Sequence, residues 1–214
     1  MKRAVLLLSL PLALIALWFF TRPFPDELIR QQVSLSPLSS VQKQNIELAA
    51  ERLNGSVIAP EASFSFNKTV GPRTATRGYL AATSYIADDS PKTLGGGICL
   101  LSSTLYQLAL GSGLKIITRT PHLRPVNTVP PGLDAAIWYG RLDVSFQNNS
   151  GQPLQLLAKI RNNTLTLAFR GSQPLAPVSL QKQVQSTPQG LYVSLSRKVG
   201  TGPPEKISSD YYHE

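Results

Sequence analysis

The sequence predicts an α+β domain in which antiparallel strands pack with two main helices. Two segments, residues 40–55 and 102–114, carry apolar residues at the three- and four-residue spacing of a helix and lie next to glycines that can end one. Short apolar segments bounded by glycine, proline and asparagine are typical of strands and turns. With 214 residues, 42% of them hydrophobic and 15% charged, the chain has the composition of a folded protein.

The N-terminal segment, residues 1–22, predicts a membrane anchor or an export signal. Lys2 and Arg3 precede an apolar run over residues 4–21, and positive charge before such a run holds the N-terminus in the cytoplasm. Aromatic residues near the end of the run and the lack of a small-residue cleavage site favour an uncleaved anchor. We expect a single-pass protein of the cell membrane with its domain outside the cytoplasm; export with a cleaved signal is the alternative.

The rest of the chain divides into three parts. Residues 23–39 are expected to be a linker and residues 40–170 the folded domain. Beyond them the composition shifts to glutamine, serine and proline, so residues 171–214 are expected to hold one strand and a loose tail.

Strands are predicted inside the domain from alternation and turn signals. Apolar alternation around Phe64 and Phe66 indicates a strand, and another precedes a proline-bracketed turn at His122. The sequences NNSG at residues 148–151 and RNNT at residues 161–164 are turn signals between later strands.

The charge excludes one class of partner. The net charge of +9 is spread thinly, with no block of lysine and arginine and no interleaved aromatic residues, so nucleic acid is not expected as a partner. A mildly basic domain suits an anionic cell-envelope surface. One cysteine and two histidines provide neither a disulfide framework nor a zinc cluster, and no metal or cofactor is expected.

Cys99, the only cysteine, stands at the start of the second helical segment, directly behind Gly95, Gly96, Gly97 and Ile98. A helix N-terminus offers free N–H groups and a partial positive charge, which stabilise a thiolate. The glycines allow close backbone approach, as an oxyanion hole requires. The alternative is a buried cysteine that fills the core.

A cysteine nucleophile needs a base, and His122 is the candidate because it is the only histidine inside the predicted domain. Asp134 or Asp143 is expected to orient its imidazole. The alternative is a structural histidine held by hydrogen bonds. Ser103 and Tyr106 follow Cys99 by four and seven residues on the same helix face, so their hydroxyls are expected to line a cleft.

Five motifs in one order carry a resemblance to a known family. FSFNKTVGPRTATRGY, GGGICLLSSTLYQLALGSGLKI, HLRPV, PPGLDAAIWYG and LDVSFQNNSGQPLQLLA resemble the VanW-like domain over residues 41–159. That family takes its name from an accessory protein of vancomycin resistance, and its members are typically exported, membrane-anchored and linked to the cell wall. Some look like L,D-transpeptidases that use the cysteine of the glycine motif. The family usually has glutamine after this cysteine, whereas this chain has Leu100.

The resemblance implies two alternative functions. In the first, an envelope enzyme cross-links peptidoglycan stem peptides by acyl transfer; Cys99 would be the nucleophile, His122 the base, Asp134 its orienting group and the glycine N–H groups the oxyanion hole. In the second, a non-catalytic module binds stem peptides or a glycopeptide. Arginine side chains would then bind substrate carboxylates. The candidate substrate-binding residues are Ser103, Tyr106, Arg73, Arg77 and Arg124.

Overall fold

The computed structural model describes residues 24–84 and 92–213. In these residues the helices are α1 (Ser40–Leu53), α2 (Phe66–Val70) and α3 (Ile98–Gly111), with a 3₁₀ turn at Ala75–Arg77. The strands are β1 (Asp26–Ser34), β2 (Val57–Ile58), β3 (Ser63–Ser65), β4 (Ala81–Ala82), β5 (Thr93–Leu94), β6 (Lys115–Thr118), β7 (Ser145–Gln147), β8 (Leu154–Arg161), β9 (Thr164–Gly171), β10 (Val178–Thr187), β11 (Gly190–Val199) and β12 (Glu205–His213). The predicted α+β class is confirmed.

Four antiparallel sheets surround the two long helices in the described residues. Their strand orders are β1-β9-β8-β2, β10-β11-β12, β3-β7-β6 and β4-β5. The turn between β8 and β9 is the predicted RNNT turn, in which Asn162 and Asn163 take positive φ values of 49° and 57°. Two left-handed residues in succession match the right-handed twist of a hairpin, and asparagine tolerates this conformation better than most residues.

Helix α3 lies in the centre of the core and positions the site. It is apolar on almost every side, as expected of a helix covered by neighbours all round. It contacts β1, β9, β6 and α1. Helix α1 begins with a capping box in which the side chains of Ser39 and Gln42 satisfy each other's backbone N–H groups. It packs beside the N-terminus of α3 and fixes where that helix begins.

Two predicted boundaries differ from the structure. Strand β1 lies inside the expected linker, residues 23–39, and pairs along its length with β9. The expected loose tail within residues 171–214 instead forms β12, which pairs with β11 and buries Tyr212. The expected anchor at residues 1–22 lies outside the described residues. Within residues 24–84 and 92–213, no helix is both long enough and apolar enough to cross a membrane.

Candidate functional site

The N-terminus of α3 presents Cys99 at the edge of a cavity. Gly97 is the N-cap with φ of 96°, and Gly95 also has a positive φ of 81°. Such φ values favour glycine because other side chains are strained there. Ile98 donates to the carbonyl oxygen of Gly95 (3.3 Å), whereas the N–H groups of Gly97 and Cys99 have no backbone acceptor among the described residues. Gly97 and Cys99 both line the cavity.

Gly96 is required by close packing. A Cβ at this position would lie 2.6 Å from the carbonyl oxygen of Thr83 and closer still to the backbone of Ala82. The carbonyl oxygen of Gly96 accepts a hydrogen bond from Asn45 Nδ2 of α1 (3.0 Å). The glycine motif therefore allows β4 and α1 to pack directly on the turn that begins α3.

His122 and Asp134 form a doubly bonded pair in the interior. Oδ2 of Asp134 lies 2.6 Å from Nδ1 of His122 and accepts a second hydrogen bond from the backbone N–H of His122 (2.7 Å). The imidazole is 3% exposed and the carboxylate residue 1%. Two bonds to one carboxylate oxygen fix both the position and the tautomer of the ring.

A second layer holds Asp134. Its Oδ1 accepts hydrogen bonds from Arg119 Nη2 (2.9 Å) and from the hydroxyl of Tyr212. Arg119 also pairs with Asp210 (Nη1 to Oδ2, 2.5 Å), and Tyr212 accepts a hydrogen bond from the N–H of Gly132 (2.7 Å). Buried charges are thus paired in the manner that low-dielectric surroundings require.

The electrostatics favour an imidazolium paired with a carboxylate. Burial lowers the pKa of His122, but its hydrogen bond to Asp134 and the nearby Cys99 raise that pKa more strongly, to about 9. Burial raises the pKa of Asp134, while its bonds to His122 and Tyr212 and the charge of Arg119 bring it below its ordinary value. Both shifts favour the charged form of each partner, an imidazolium beside a carboxylate.

The free nitrogen of His122 is the link to Cys99. Nε2 is buried and has no hydrogen-bond partner among the described residues. Cys99 is nevertheless close enough to contribute to the raised pKa of His122. Buried polar nitrogens are nearly always satisfied, so an unpartnered one beside a thiol is a functional candidate. The order is Cys99, His122, Asp134, with the thiol outermost.

A cavity of about 360 Å³ opens at the thiol. Cys99 lines it together with the glycine loop. The aromatic, apolar and cationic side chains that also line it are Arg73, Ile137, Trp138 and Tyr139. Trp138 and Tyr139 are 44% and 49% exposed at the rim. Cys99 itself is 8% exposed, so it is reached through the cavity and not from the open surface.

The structure separates the other candidates from this cavity. Ser103 bonds the carbonyl oxygen of Cys99 (2.7 Å) and the N–H of Ala135 (2.9 Å), which makes it a brace between α3 and the segment that carries Asp134. Tyr106 is fully buried against the guanidinium of Arg119, and burial raises the pKa of its phenol to about 12. Neither side chain lines the cavity.

Two of the three candidate arginines also lie outside the cavity lining, whereas Arg73 is part of it. Arg77 donates to the carbonyl oxygen of Val70 (2.9 Å) and does not line the cavity. Arg124 is exposed two residues beyond His122 and is likewise outside the lining. Asp143, the alternative orienting acid, bonds Ser65 Oγ (2.6 Å) and the N–H of Asn67, away from His122.

Leu100, where the family usually has glutamine, points into the core. It is 3% exposed, belongs to the main apolar cluster and is absent from the cavity lining.

Sequence reasoning missed the residues that support Asp134. Arg119, Asp210 and Tyr212 are separated from it by 15, 76 and 78 positions, and no local pattern joins them. A basic residue at the end of β6, three positions before the histidine, was the one available signal. No group of three or more histidine, cysteine or acidic side chains in the described part of the chain could hold a metal ion.

Comparison with known proteins identifies relatives of this chain. A family model described as VanW like protein matches residues 41–170. The chain is 34% identical over 154 residues to the Bacillus subtilis (strain 168) protein named uncharacterized protein YoaR, covering 68% of this chain and 51% of that one. It is 28% identical over 138 residues to the vancomycin B-type resistance protein VanW of Enterococcus faecalis (strain ATCC 700802 / V583), covering 62% and 50%. The chain thus spans about half the length of these relatives. No solved structure matches.

Proposed function

This chain belongs to the VanW-like protein family, and from that premise we propose that it is a cysteine-dependent acyl transferase acting on peptidoglycan stem peptides outside the cytoplasm. The single observation that carries the proposal is the unpartnered Nε2 of His122 beside Cys99, with Asp134 bonded to the opposite nitrogen. Nucleophile, base and orienting acid then stand in the order that covalent catalysis uses.

The reaction has two steps. Cys99 attacks a carbonyl carbon of the donor peptide, a thioester forms, and the C–N bond to the departing amine breaks. His122 carries the thiol proton to that amine, so the leaving group departs neutral. An amine of a second peptide then attacks the thioester, gives up a proton through His122, and releases Cys99 with a new amide bond. Water in place of the amine would make the product a shortened peptide.

Each described group has a role in these steps. Asp134 holds the ring by its Nδ1 side, which leaves Nε2 free to exchange a proton with the thiol, and its charge stabilises the imidazolium that the first step requires. An imidazolium next to a cysteine also favours the reactive thiolate form in general. The N–H groups of Gly97 and Cys99, which have no backbone acceptor among the described residues, are placed to bind the developing oxyanion.

Localisation is part of the same proposal. Peptidoglycan lies outside the cytoplasmic membrane, and the predicted N-terminal segment at residues 1–22 would carry the domain there. A protease added to spheroplasts should digest the domain in cells that express the full chain. Protection in intact spheroplasts would place the domain on the cytoplasmic side and remove the wall as a substrate.

Non-additive loss tests the catalytic mechanism. Residues that share one chemical step lose activity together, because removing either one already disables the step. Cells that express the full-length chain, Cys99→Ala, His122→Ala or the double variant should be compared by muropeptide analysis. We expect each variant to fall to the same background of cross-linked product.

The control is His213→Ala, because this histidine side chain is exposed on β12 and meets Tyr211 edge to face. Its backbone N–H donates to the carbonyl oxygen of Leu123 (2.8 Å), a bond that the substitution leaves in place. It should leave the muropeptide pattern unchanged. A folded Cys99→Ala protein with full cross-linking would exclude the cysteine mechanism and leave the binding-module alternative.

A further inference from the structure

Arg73 lines the cavity beside the glycine loop and is held in one position. Its Nη1 donates to the carbonyl oxygen of Gly71 (2.8 Å) and its Nη2 to Oδ1 of Asn67 (2.7 Å). Asn67 is itself fixed, because its Nδ2 donates to the carbonyl oxygen of Leu142 (2.7 Å). The guanidinium is therefore preorganised before any ligand arrives, which reduces the entropy lost on binding.

The cation lacks an anion. Both acceptors of Arg73 are neutral oxygens, and none of the described carboxylates forms an ion pair with it. The two arginines with almost wholly buried side chains do pair with acids: Arg119 with Asp134 and Asp210, and Arg197 with Glu205. The half-buried Arg77 and Arg170 resemble Arg73, since they bond carbonyl oxygens. Burial is the main reason that the pKa of Arg73 is lowered. Asp143 attracts Arg73 from beyond Asn67 but makes no ion pair with it. A partly buried charge without a direct ion pair is costly, and a bound anion would reduce that cost.

The glycine motif makes room for this arginine. A Cβ on Gly95 would lie 2.8 Å from Cγ of Arg73, so a larger residue would push the arginine stem away from the thiol. On its other side the guanidinium carbon lies 5.5 Å from the ring centre of Tyr139 and 6.0 Å from that of Phe66, within cation–π range. Gly95 thus places the cation and Cys99 on the same cavity.

We propose that Arg73 is the carboxylate-binding subsite of this cavity, which selects donor peptides carrying a free carboxylate next to the bond that Cys99 attacks. The identity of the peptide rests on the proposed function, whereas the anion preference rests on the cavity alone. A guanidinium presents parallel N–H donors that match the two oxygens of a carboxylate. Bound there, the carboxylate would orient the neighbouring carbonyl towards the thiol.

Two small alkylating reagents test the anion preference without any peptide. Iodoacetate and iodoacetamide transfer similar groups to a thiol but differ in charge. The full-length chain and the variants Arg73→Gln and Arg73→Lys should be compared by the ratio of their second-order alkylation rates at Cys99. We expect the iodoacetate-to-iodoacetamide ratio to fall about tenfold in Arg73→Gln, as for loss of one charge-assisted hydrogen bond, and less in Arg73→Lys.

Arg141→Gln is the matched control, because Arg141 is exposed, lies over the ring of Trp138 and is not part of the cavity lining. Its ratio should stay near that of the unchanged chain. A ratio in Arg73→Gln equal to the control's would overturn the proposal. Equal falls in both rates would overturn it as well, since Arg73 would then act on the thiol and not on the anion.

Binding to the Cys99→Ala chain separates this proposal from the proposed chemistry, because that variant cannot form a thioester. Three stem peptides should be titrated by calorimetry: one with all carboxylates free, one amidated at the C-terminus and one amidated at the side-chain carboxylate. We expect one amidation to weaken binding about tenfold, and that penalty to vanish when Arg73→Gln is added. The amidation that weakens binding identifies the carboxylate that Arg73 binds.

Equal binding of all three peptides, no binding of any, or a penalty that persists in the double variant would overturn the carboxylate subsite. Failure of the proposed acyl transfer gives a different result. The peptides would then bind with the expected preference, but the chain without substitutions would form no cross-links.

Discussion

The buried side of Cys99 and its cavity side differ in how their charges are matched. Behind the thiol, Arg119 pairs with two carboxylates, Asp134 accepts four hydrogen bonds from three residues, and the side chains involved are buried. In front, Arg73 meets only neutral oxygens and aromatic rings. The first arrangement is complete without a ligand and holds a base in place, whereas the second is completed by an anion. The difference separates the residues that position the chemistry from the residue that selects the substrate.

Among substitutions on the buried side of Cys99, removal of Asp134 should cause the largest loss of stability. Asp134→Ala leaves the Arg119 charge with one partner and His122 with none, and breaking a buried pair costs about 3–5 kcal/mol. We expect a loss of that size in the free energy of unfolding, measured by urea titration of the purified full-length chain. Glu47→Ala, an exposed acid on α1, is the control and should change it by less than about 0.5 kcal/mol.

A loss below about 1 kcal/mol in Asp134→Ala would mean that the network does not bear on stability. Such a small loss would contradict the difference drawn above between the paired charges behind Cys99 and the unpaired charge of Arg73 at the cavity.

Leu100→Gln tests whether the residue after the cysteine belongs to the core or to the cavity. Because Leu100 is buried among apolar neighbours, an amide there would lose water without a prepared partner, at a cost of about 1–3 kcal/mol. We expect that loss of stability with unchanged cross-linking in the folded fraction. Leu100→Met, which conserves volume, should cost less than about 1.5 kcal/mol. Higher cross-linking in Leu100→Gln would instead place this side chain at the substrate.

Part of this arrangement was predictable from residue types. The helix-ending glycines and the RNNT turn are local signals, and both lie where they were predicted. The proximity of Cys99, His122 and Asp134 was a hypothesis based on their chemistry, with Asp143 as an alternative; only the contacts show that Asp134 is the acid bonded to the ring.

The rest was not predictable because its signals are weak or distant. Strand β10 is exposed along nearly its whole length and rich in glutamine and serine, so it lacks the apolar alternation that marks a half-buried strand. Tyr212 reaches Asp134 across 78 positions from β12, beyond the matched family region at residues 41–170. A contact of this kind depends on tertiary packing, which no local window contains.

Tyr212→Phe measures what this distant strand adds to the network. The substitution removes one hydrogen bond to Asp134 and leaves the N–H of Gly132 unpaired, so we expect the free energy of unfolding to fall by about 1–2 kcal/mol. Loss of a donor should also raise the pKa of Asp134 and weaken its hold on His122. Tyr211→Phe is the matched control on the same strand, since that ring is partly exposed. Equal losses in the two variants would assign Tyr212 to packing alone.

Of these variants, Cys99→Ala should lower the stability of the fold least, and it should change the pKa of the His122 imidazole directly. The raised pKa of His122, about 9 against an ordinary 6.5, means that its charged form stabilises the folded chain fully below pH 6.5, and this contribution is lost as the pH rises through 9. Cys99 supplies part of that increase, and the hydrogen bond to Asp134 is its largest single cause. Removing the sulfur should therefore lower the pKa of His122 while keeping it above 6.5, and the alkaline loss of stability should begin at a lower pH.

NMR titration of the imidazole measures the pKa of His122, with the exposed His213 as the internal reference. An unchanged His122 titration in Cys99→Ala would show that thiol and imidazole are not coupled, and with that the ordering of nucleophile, base and acid would fail.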